Sequence, residues 1–353
     1  MYINSIGTAH PPQSWSQEQC WDAIQASPYA TSLRPGSIAI LKKVLLGDSG
    51  IERRHFSLDA LMQVFEDDPD SLHERYTRWA PALLEKASRD ALLENNLAPG
   101  EIDGVIVSTC TGYLCPGLTG YLAESLGLDP SVVFVDLVGH GCGAALPNLS
   151  LGASLIASGQ CRRILSCCVE ICSAAFYLDD DPGVLISACL FADGASATIL
   201  SDQPLHSSGH LKWGQFVTHL DPSRREALRF KSSRGLLKNI LSPTVPGLAA
   251  GGCRILLSEL ERKHGITMDE ISGWVFHAGG KKVLEAIEDE LQLEPRQLAH
   301  SYQVLRQAGN MSSPSVIFAL KNMIHSTPQA GRWFLSSFGA GLSSFGATLE
   351  WTP

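Results

Sequence analysis

The chain has 353 residues, 44% of them hydrophobic and 18% charged, with a formal net charge of -9. That composition supports a large core, and the acidic balance points away from nucleic acid. No stretch has the apolar length of a membrane span, and the first residues lack the regions of a signal peptide, so a cytoplasmic protein is expected.

Residues 2–7 predict an opening strand, broken at His10-Pro11-Pro12. Helices are predicted over 16–26, with Ser16 as N-cap, and over 37–46, followed by a turn at 47–50. Acidic residues 67–70 read as a solvated loop and 73–95 as a long amphipathic helix. A strand apolar on both faces follows at 102–109, then a helix at 116–126. Residues 132–135 read as a buried strand, 139–143 as a tight glycine turn, and 144–157 as a small-residue helix that tolerates Pro147 in its first turn. A strand at 163–169, a loop at 179–183 and a glycine turn with a strand within 189–201 come next. The polar, basic section 206–252 reads as strands followed by a loop over the core. Helices at 253–264, 282–291 and 314–324 then alternate with strands at 271–277, 333–337 and 346–351, with a loop at 338–341.

Ten cysteines lie mostly inside apolar segments, as Cys167, Cys168 and Cys189 do, and read as reduced thiols. Cys168 and Cys172 are spaced four apart but follow a strand, and no paired CxxC motifs exist, so no metal site is expected. The glycines of the central turn do not form GxGxxG, which leaves a dinucleotide site little support.

Strand, sharp turn and helix place Cys142 where backbone amides and the positive end of a helix dipole converge. That setting favours the thiolate, the nucleophilic form. A buried, inert cysteine is the plain alternative. An internal repeat helps to decide. Residues 102–107 resemble 271–276 at an offset of 169, and the turns of Cys142 and Asn310 are 168 apart. Phe191-Ala192-Asp193-Gly194-Ala195 echoes Phe338-Gly339-Ala340-Gly341. Two halves, 1–205 and 206–353, therefore read as a duplicated α/β fold. In that superposition Cys142 and Asn310 both start helices. His277 ends a strand, where α/β proteins place ligands. Pseudo-symmetric halves would bring all three towards one interface.

Covalent catalysis needs an activated nucleophile, a proton carrier and donors for an oxyanion. Cys142 is the candidate nucleophile. His277 would pair with its sulfur and donate to a thioester oxygen, and Asn310 would donate a second hydrogen bond. No acidic partner for His277 stands out, which fits thioester chemistry better than proteolysis. The plain alternatives are a satisfied strand-end histidine and a turn or N-cap asparagine. His140, inside the tight turn, is a weaker candidate for the base.

At these motifs the chain resembles the type III polyketide synthases, the chalcone synthase-like family of the thiolase superfamily. The resemblance is carried by Gly141-Cys142, by His277 with Gly279-Gly280, and by Gly309-Asn310-Met311-Ser312-Ser313. Cys168-Val169-Glu170-Ile171, Phe191-Ala192-Asp193-Gly194 and Phe338-Gly339-Ala340-Gly341 support it over nearly the whole chain. The related ketoacyl synthase III enzymes usually show HQAN and GNTS instead. The resemblance implies a homodimer with a thiolase-like, duplicated αβαβα five-layered fold. It implies that a starter acyl-CoA loads onto Cys142 and that His277 and Asn310 promote malonyl-CoA decarboxylation. Iterative Claisen condensation and cyclisation would follow, with no metal, flavin or acyl carrier arm. Phe191 and Phe230 resemble the family's gatekeeper phenylalanines, whose rings shed water near the thioester. Ser312 belongs to the implied substrate pocket.

Departures qualify that picture. Ala278 and Ala340 replace family prolines, both backbone changes outside the triad. Of the basic residues that hold CoA in plant members only Lys42 is clearly kept, with Arg53 and Arg54 as substitutes. Cys110 and Cys172 stand at pocket threonine positions, and Cys115 where a methionine enters the partner's cavity. Cysteines there make a softer, less polar pocket, closer to bacterial members that turn fatty acyl starters into alkylresorcinols or alkylpyrones. Two alternatives are a ketoacyl synthase III-like enzyme using an acyl carrier protein, which would want a basic docking patch, and an inactive acyl-CoA-binding scaffold. The acidic charge opposes the first and the complete triad opposes the second.

Overall fold

The computed structural model describes residues 1–206, 209–326 and 329–353. The first half of the chain supplies β1 (Tyr2–Ala9), β2 (Ser14–Ser16), β3 (Arg53–His55), β4 (Gly104–Ser108), β5 (Val133–Leu137), β6 (Arg163–Glu170) and β7 (Gly194–Ser201). The second supplies β8 (His210–Leu220), β9 (Leu228–Ser233), β10 (Leu236–Leu241), β11 (Ile271–Phe276), β12 (Gly331–Gly339) and β13 (Ser343–Thr352). The helices are α1 (Gln17–Ala26), α2 (Tyr29–Ser32), α3 (Pro35–Leu45), α4 (Pro69–Glu94), α5 (Leu118–Leu126), α6 (Ala145–Ala157), α7 (Pro182–Leu190), α8 (Val245–His264), α9 (Lys281–Leu291), α10 (Ala299–Ala308) and α11 (Ser315–His325).

Nine strands run in the order β11-β12-β13-β8-β1-β7-β6-β4-β5. From the centre outward one side reads β1-β7-β6-β4 and the other β8-β13-β12-β11. Directions match as well. The outer pairs, β4 with β6 and β11 with β12, are parallel, and the inner pairs on both sides are antiparallel. Only β5 has no counterpart. The two series meet through two residue pairs of β1 and β8, Tyr2 with Lys212 and Ile3 with Leu211.

α4 lies on β1, β7 and β6 with α5 beside it, and α8 lies on β13, β8 and β12 with α9 beside it. Between them, α6 packs on β4, β6 and β7 and reaches β12 and β13, while α11 packs on β11 and β12 and reaches β1. The result is the thiolase-like αβαβα layering. Strands covered on both faces need continuous apolar runs, and every residue of β4 and β7 is buried. Among the described residues no helix is long and apolar enough to cross a membrane.

Three loop expectations are corrected. Residues 67–70 are loop only at Asp67 and Asp68: Asp68 caps α4 by accepting from the Ser71 amide, and Pro69 opens its first turn. In section 206–252, where Ser207 and Ser208 lie outside the described residues, the loop over the core is the hairpin β9–β10, and α8 starts at Val245 rather than at Cys253. α7 also begins at Pro182, inside the stretch read as loop, capped by Asp181.

Candidate active site

Chain reversal after β5 needs left-handed backbone at Gly139 (φ +94°) and Gly141 (φ +55°). Cys142 sits in the middle of a single 3-10 turn, Gly141–Gly143, ahead of α6. That turn rests on the β12–β13 hairpin of the other half. A Cβ on Gly339 would stand 1.9 Å from the His140 carbonyl oxygen, so only glycine fits. Ser337 Oγ donates to the Gly143 carbonyl at 3.0 Å. The His140 ring meets Phe345 edge-on at 5.5 Å.

His277 follows β11. Its amide donates to the Ser336 carbonyl at 2.9 Å, and its carbonyl accepts from Gly279 at 2.8 Å. The ring lies edge-on to Phe338 at 5.2 Å. It is buried, and Nδ1 has no hydrogen-bond partner among the described residues. Burial pushes its pKa down to about 3, so the imidazole is neutral. Asn310 is fixed at both ends. Its amide donates to the Leu190 carbonyl at 2.9 Å and its carbonyl accepts from Ala192 at 2.9 Å, which sets it beside Phe191. Its Nδ2 donates to the Gly279 carbonyl at 3.1 Å, and its Oδ1 accepts from the Ser312 amide at 2.8 Å.

Ser312 closes the connection. Its backbone is left-handed (φ +60°), a costly conformation for serine, and its Oγ donates to Cys142 Sγ at 3.2 Å. His277, Gly279, Asn310, Ser312 and Cys142 thus form one contact path. Cys142 lies in a turn just ahead of α6, and Asn310 lies in an isolated β-bridge to Phe191 ahead of α11, so neither is in a helix itself. Here the expectation of a thiolate is corrected. Burial pushes the Cys142 thiol up to about 12, Glu170 adds to the shift, and the Ser312 hydrogen bond opposes it. A dipole that fades within the first turn does not reverse that burial.

Glu170, quoted above only as part of a supporting motif, is a site residue that sequence reasoning missed. It is fully buried at the end of β6. Its carboxylate accepts from Ser313 Oγ at 2.7 Å, Thr111 Oγ1 at 2.9 Å, the Cys110 amide at 3.0 Å and the Cys110 thiol at 3.3 Å. The Ser312 hydroxyl is also 3.3 Å away and has a single hydrogen to share between Glu170 and Cys142. Burial raises the Glu170 pKa against those hydrogen bonds. The signal was available: a lone acid ending an otherwise apolar, buried strand is rare unless it is paired.

Cys142 opens into a cavity with about 630 Å³ of empty space. Cys110, Cys172, Ser312, Phe191 and Phe230 line it. Burial pushes Cys110 and Cys172 well above the usual thiol range. His277 and Asn310 do not line this cavity and reach it through Ser312. Hairpin β9–β10 is its roof. Phe230 pairs across that hairpin with Asn239, whose Nδ2 donates to Ser187 Oγ at 2.8 Å. Asn239 and Ser187 are cavity residues that no sequence motif announced. Cys115 is exposed, next to the cis bond to Pro116, and does not line the cavity of its own chain.

Lys42 and Arg53 are exposed cations. Arg54 is a correction. It is 2% exposed and its guanidinium is spent on Gln17 Oε1 and the carbonyls of Ala188 and Phe191, so it cannot meet a CoA phosphate.

Comparison with known proteins agrees with this geometry. Residues 8–225 match the model for FAE1/type III polyketide synthase-like protein, and residues 225–350 match the chalcone and stilbene synthase C-terminal domain. The chain is 28% identical to the 3,5-dihydroxyphenylacetyl-CoA synthase of Streptomyces toyocaensis, over 99% of this chain and 90% of that protein. It is 26% identical to the 1,3,6,8-tetrahydroxynaphthalene synthase of Streptomyces peucetius subsp. caesius, over 99% and 93%. The solved C-terminal type III polyketide synthase domain of Steely1 from Dictyostelium superposes with a TM-score of 0.88 at 25% identity, covering 100% of this chain and 99% of that one. A cysteine turn, a buried histidine and a tethered asparagine joined across two matching strand series accord with those matches, and the chain belongs to the type III polyketide synthase family.

Proposed function

We propose that this chain extends a starter acyl-CoA by repeated decarboxylative condensation with malonyl-CoA, with Cys142 as acyl carrier and His277 and Asn310 as the groups that hold the enolate. The observation that supports it most is the contact path from His277 through Gly279, Asn310 and Ser312 to a cysteine facing an apolar cavity. In this reading residues 1–205 carry the nucleophile and 206–353 carry the His and Asn.

Loading begins from neutral partners, because burial disfavours both thiolate and imidazolium. As Sγ attacks the thioester carbonyl its proton passes to His277. The bond from the acyl carbon to the CoA sulfur breaks, and CoA leaves as the thiol with that proton. Malonyl-CoA then loses CO2. The enolate oxygen accepts from His277 and from the Asn310 amide hydrogen that Gly279 does not occupy. The enolate carbon attacks the acyl thioester, and Cys142 leaves as sulfide and is reprotonated. Phe191 and Phe230 keep water from the thioester. Ser312, Cys110 and Cys172 shape the pocket around it.

CoA phosphates are assigned to Lys42 and Arg53 on the surface. A second copy of the chain is assigned to the free edge of the sheet. Phe134 on the edge strand β5 is 67% exposed, and Tyr113 and Val138 are 74% and 62% exposed. Cys115 shortly precedes Gly117 and Thr119, which meet Asp136 of β5, and would face the partner's cavity. Free thiols throughout suit a reducing cytoplasm.

Intact-mass measurement after mixing with acyl-CoA tests the reading. The protein gains one acyl group, and Cys142→Ala gains none. An equal gain in Cys142→Ala contradicts it.

A further inference from the structure

Hairpin β9–β10 meets the Cys142 cavity with Leu228, Arg229, Phe230, Leu237 and Asn239. The Arg229 guanidinium is held by Glu226, itself 63% exposed, so its charge lies at the surface. Asn239 remains as the polar side chain that this hairpin offers to the cavity. Asparagine is depleted in strands, and a bare amide in an apolar wall is costly unless something pairs with it.

Part of that pairing is internal. Ser187 on α7 gives its hydrogen to the Gly183 carbonyl at 2.6 Å, so its Oγ can only accept from Asn239. Asn239 must therefore turn nitrogen, not oxygen, towards Ser187, and the bond at 2.8 Å uses one of two amide hydrogens. The second hydrogen and Oδ1 have no hydrogen-bond partner among the described residues. Other polar groups on the walls are committed. Cys110 and Thr111 donate to Glu170, and Ser312 has one hydrogen between Cys142 and Glu170. Tyr177 packs with Leu72, Val184 and Leu236, and its hydroxyl lies in the field of Asp179, Lys238 and Asp181.

The free hydrogen selects its acceptor. A hydrocarbon starter has no atom to receive it. A growing polyketide has one, because each condensation turns the previous thioester carbonyl into a β-keto group. Buried among these walls, that oxygen is costly without a donor.

We propose that Asn239 is a specificity-determining residue: its free amide hydrogen donates to a β-keto oxygen of the chain held on Cys142 and keeps that chain extended for another condensation instead of folded back for release. The inference rests on Cys142 being the acyl carrier. It adds a determinant of product length on the roof of the cavity, away from the residues that hold the enolate. The plain alternative is that Asn239 only anchors the hairpin to Ser187.

Two variants separate the roles. Asn239→Leu removes both the anchor and the free donor. Asn239→Asp keeps the anchor, because Ser187 can turn its hydrogen to the carboxylate, but an ionised carboxylate donates nothing. Wild type and both variants receive malonyl-CoA with short, long and aromatic acyl-CoA starters. Intact mass follows acylation of Cys142, and mass spectrometry of the products counts malonyl units. The share of products at the wild-type length is expected to fall about tenfold in Asn239→Leu, and likewise in Asn239→Asp at about pH 8.5. Lowering the pH towards about 5.5 protonates the new carboxyl and restores length relative to wild type at the same pH. An anchor alone would be satisfied by Asn239→Asp at every pH. Wild-type lengths in Asn239→Asp at the higher pH, or in folded Asn239→Leu, overturn the inference, while the acyl-enzyme mass leaves the functional reading intact. Where Asn239→Leu fails to fold, Asn239→Asp decides. A loss of loading as large as the loss of length marks a structural role and overturns the inference too. No acyl group on wild-type Cys142 from any starter overturns the functional reading, and this inference with it.

Discussion

Burial acts on Cys142 and His277 with opposite consequences: one thiol held protonated to about 12, one imidazole held neutral down to about 3. A neutral pair is a poor ground-state nucleophile but an effective arrangement for a charge that appears only in the transition state. His277→Ala or Asn310→Ala should lower malonyl-CoA decarboxylation by about 10²–10³ each. Acylation of Cys142 should fall less, because an enolate depends on both donors. Stopped-flow loading and 14C-CO2 release, measured separately, check the split, and equal loss in both steps contradicts it. At this scale the meeting of the Cys142, His277 and Asn310 segments was legible because glycines mark the turn at each and the turns of Cys142 and Asn310 repeat across the halves. Arg54 was misread because a surface arginine and one spent on buried carbonyls look alike in sequence. The state of the thiol was misread because local turn geometry says nothing of how deeply the fold buries it.

At the scale of elements, the β12–β13 hairpin holds the Cys142 turn. Gly339→Ala puts a methyl against the His140 carbonyl, which must move and carry Cys142 with it. A destabilisation of about 1–3 kcal/mol is expected, with a fall in kcat beyond what residual folding explains. Thermal unfolding and turnover at a temperature where both proteins are folded test it, and wild-type kcat in the folded variant would contradict it. The main helices and strands were legible from their periods. The roof of the cavity was not, because a hairpin carrying Arg229, Lys231, Arg234 and Lys238 has the composition of a solvated loop. The acidic run at 67–70 was read for its charge, while its fold is set by Asp68 as a cap.

At the scale of the whole molecule, burial of titratable groups sets a pH window for stability. His10 and His277 are held near 3 against an ordinary 6.5, so their unfolded forms bind protons first as the pH falls. Their contribution is complete above about 6.5 and is lost progressively towards 3. Cys142, Cys167, Cys189 and Cys253 are held near 12 against 9, so their unfolded forms lose protons first as the pH rises, and stability falls above about 9. Urea midpoints should therefore form a plateau between about 6.5 and 9, and a midpoint still rising at pH 10 would contradict this. The repeated strand series was visible in the sequence only where its motifs touch the site. The short join at β1 and β8 pairs residues more than two hundred positions apart, and no local pattern announces it.

The central claim is iterative condensation on Cys142, and one incubation tests it most directly. Purified protein receives malonyl-CoA with short, long and aromatic acyl-CoA starters, and the products are read by mass spectrometry. Products carrying several acetate units from CoA substrates alone, absent with Cys142→Ala, are the predicted result. Polyketides from Cys142→Ala, or a single condensation that appears only when a malonyl carrier protein is added, would contradict it.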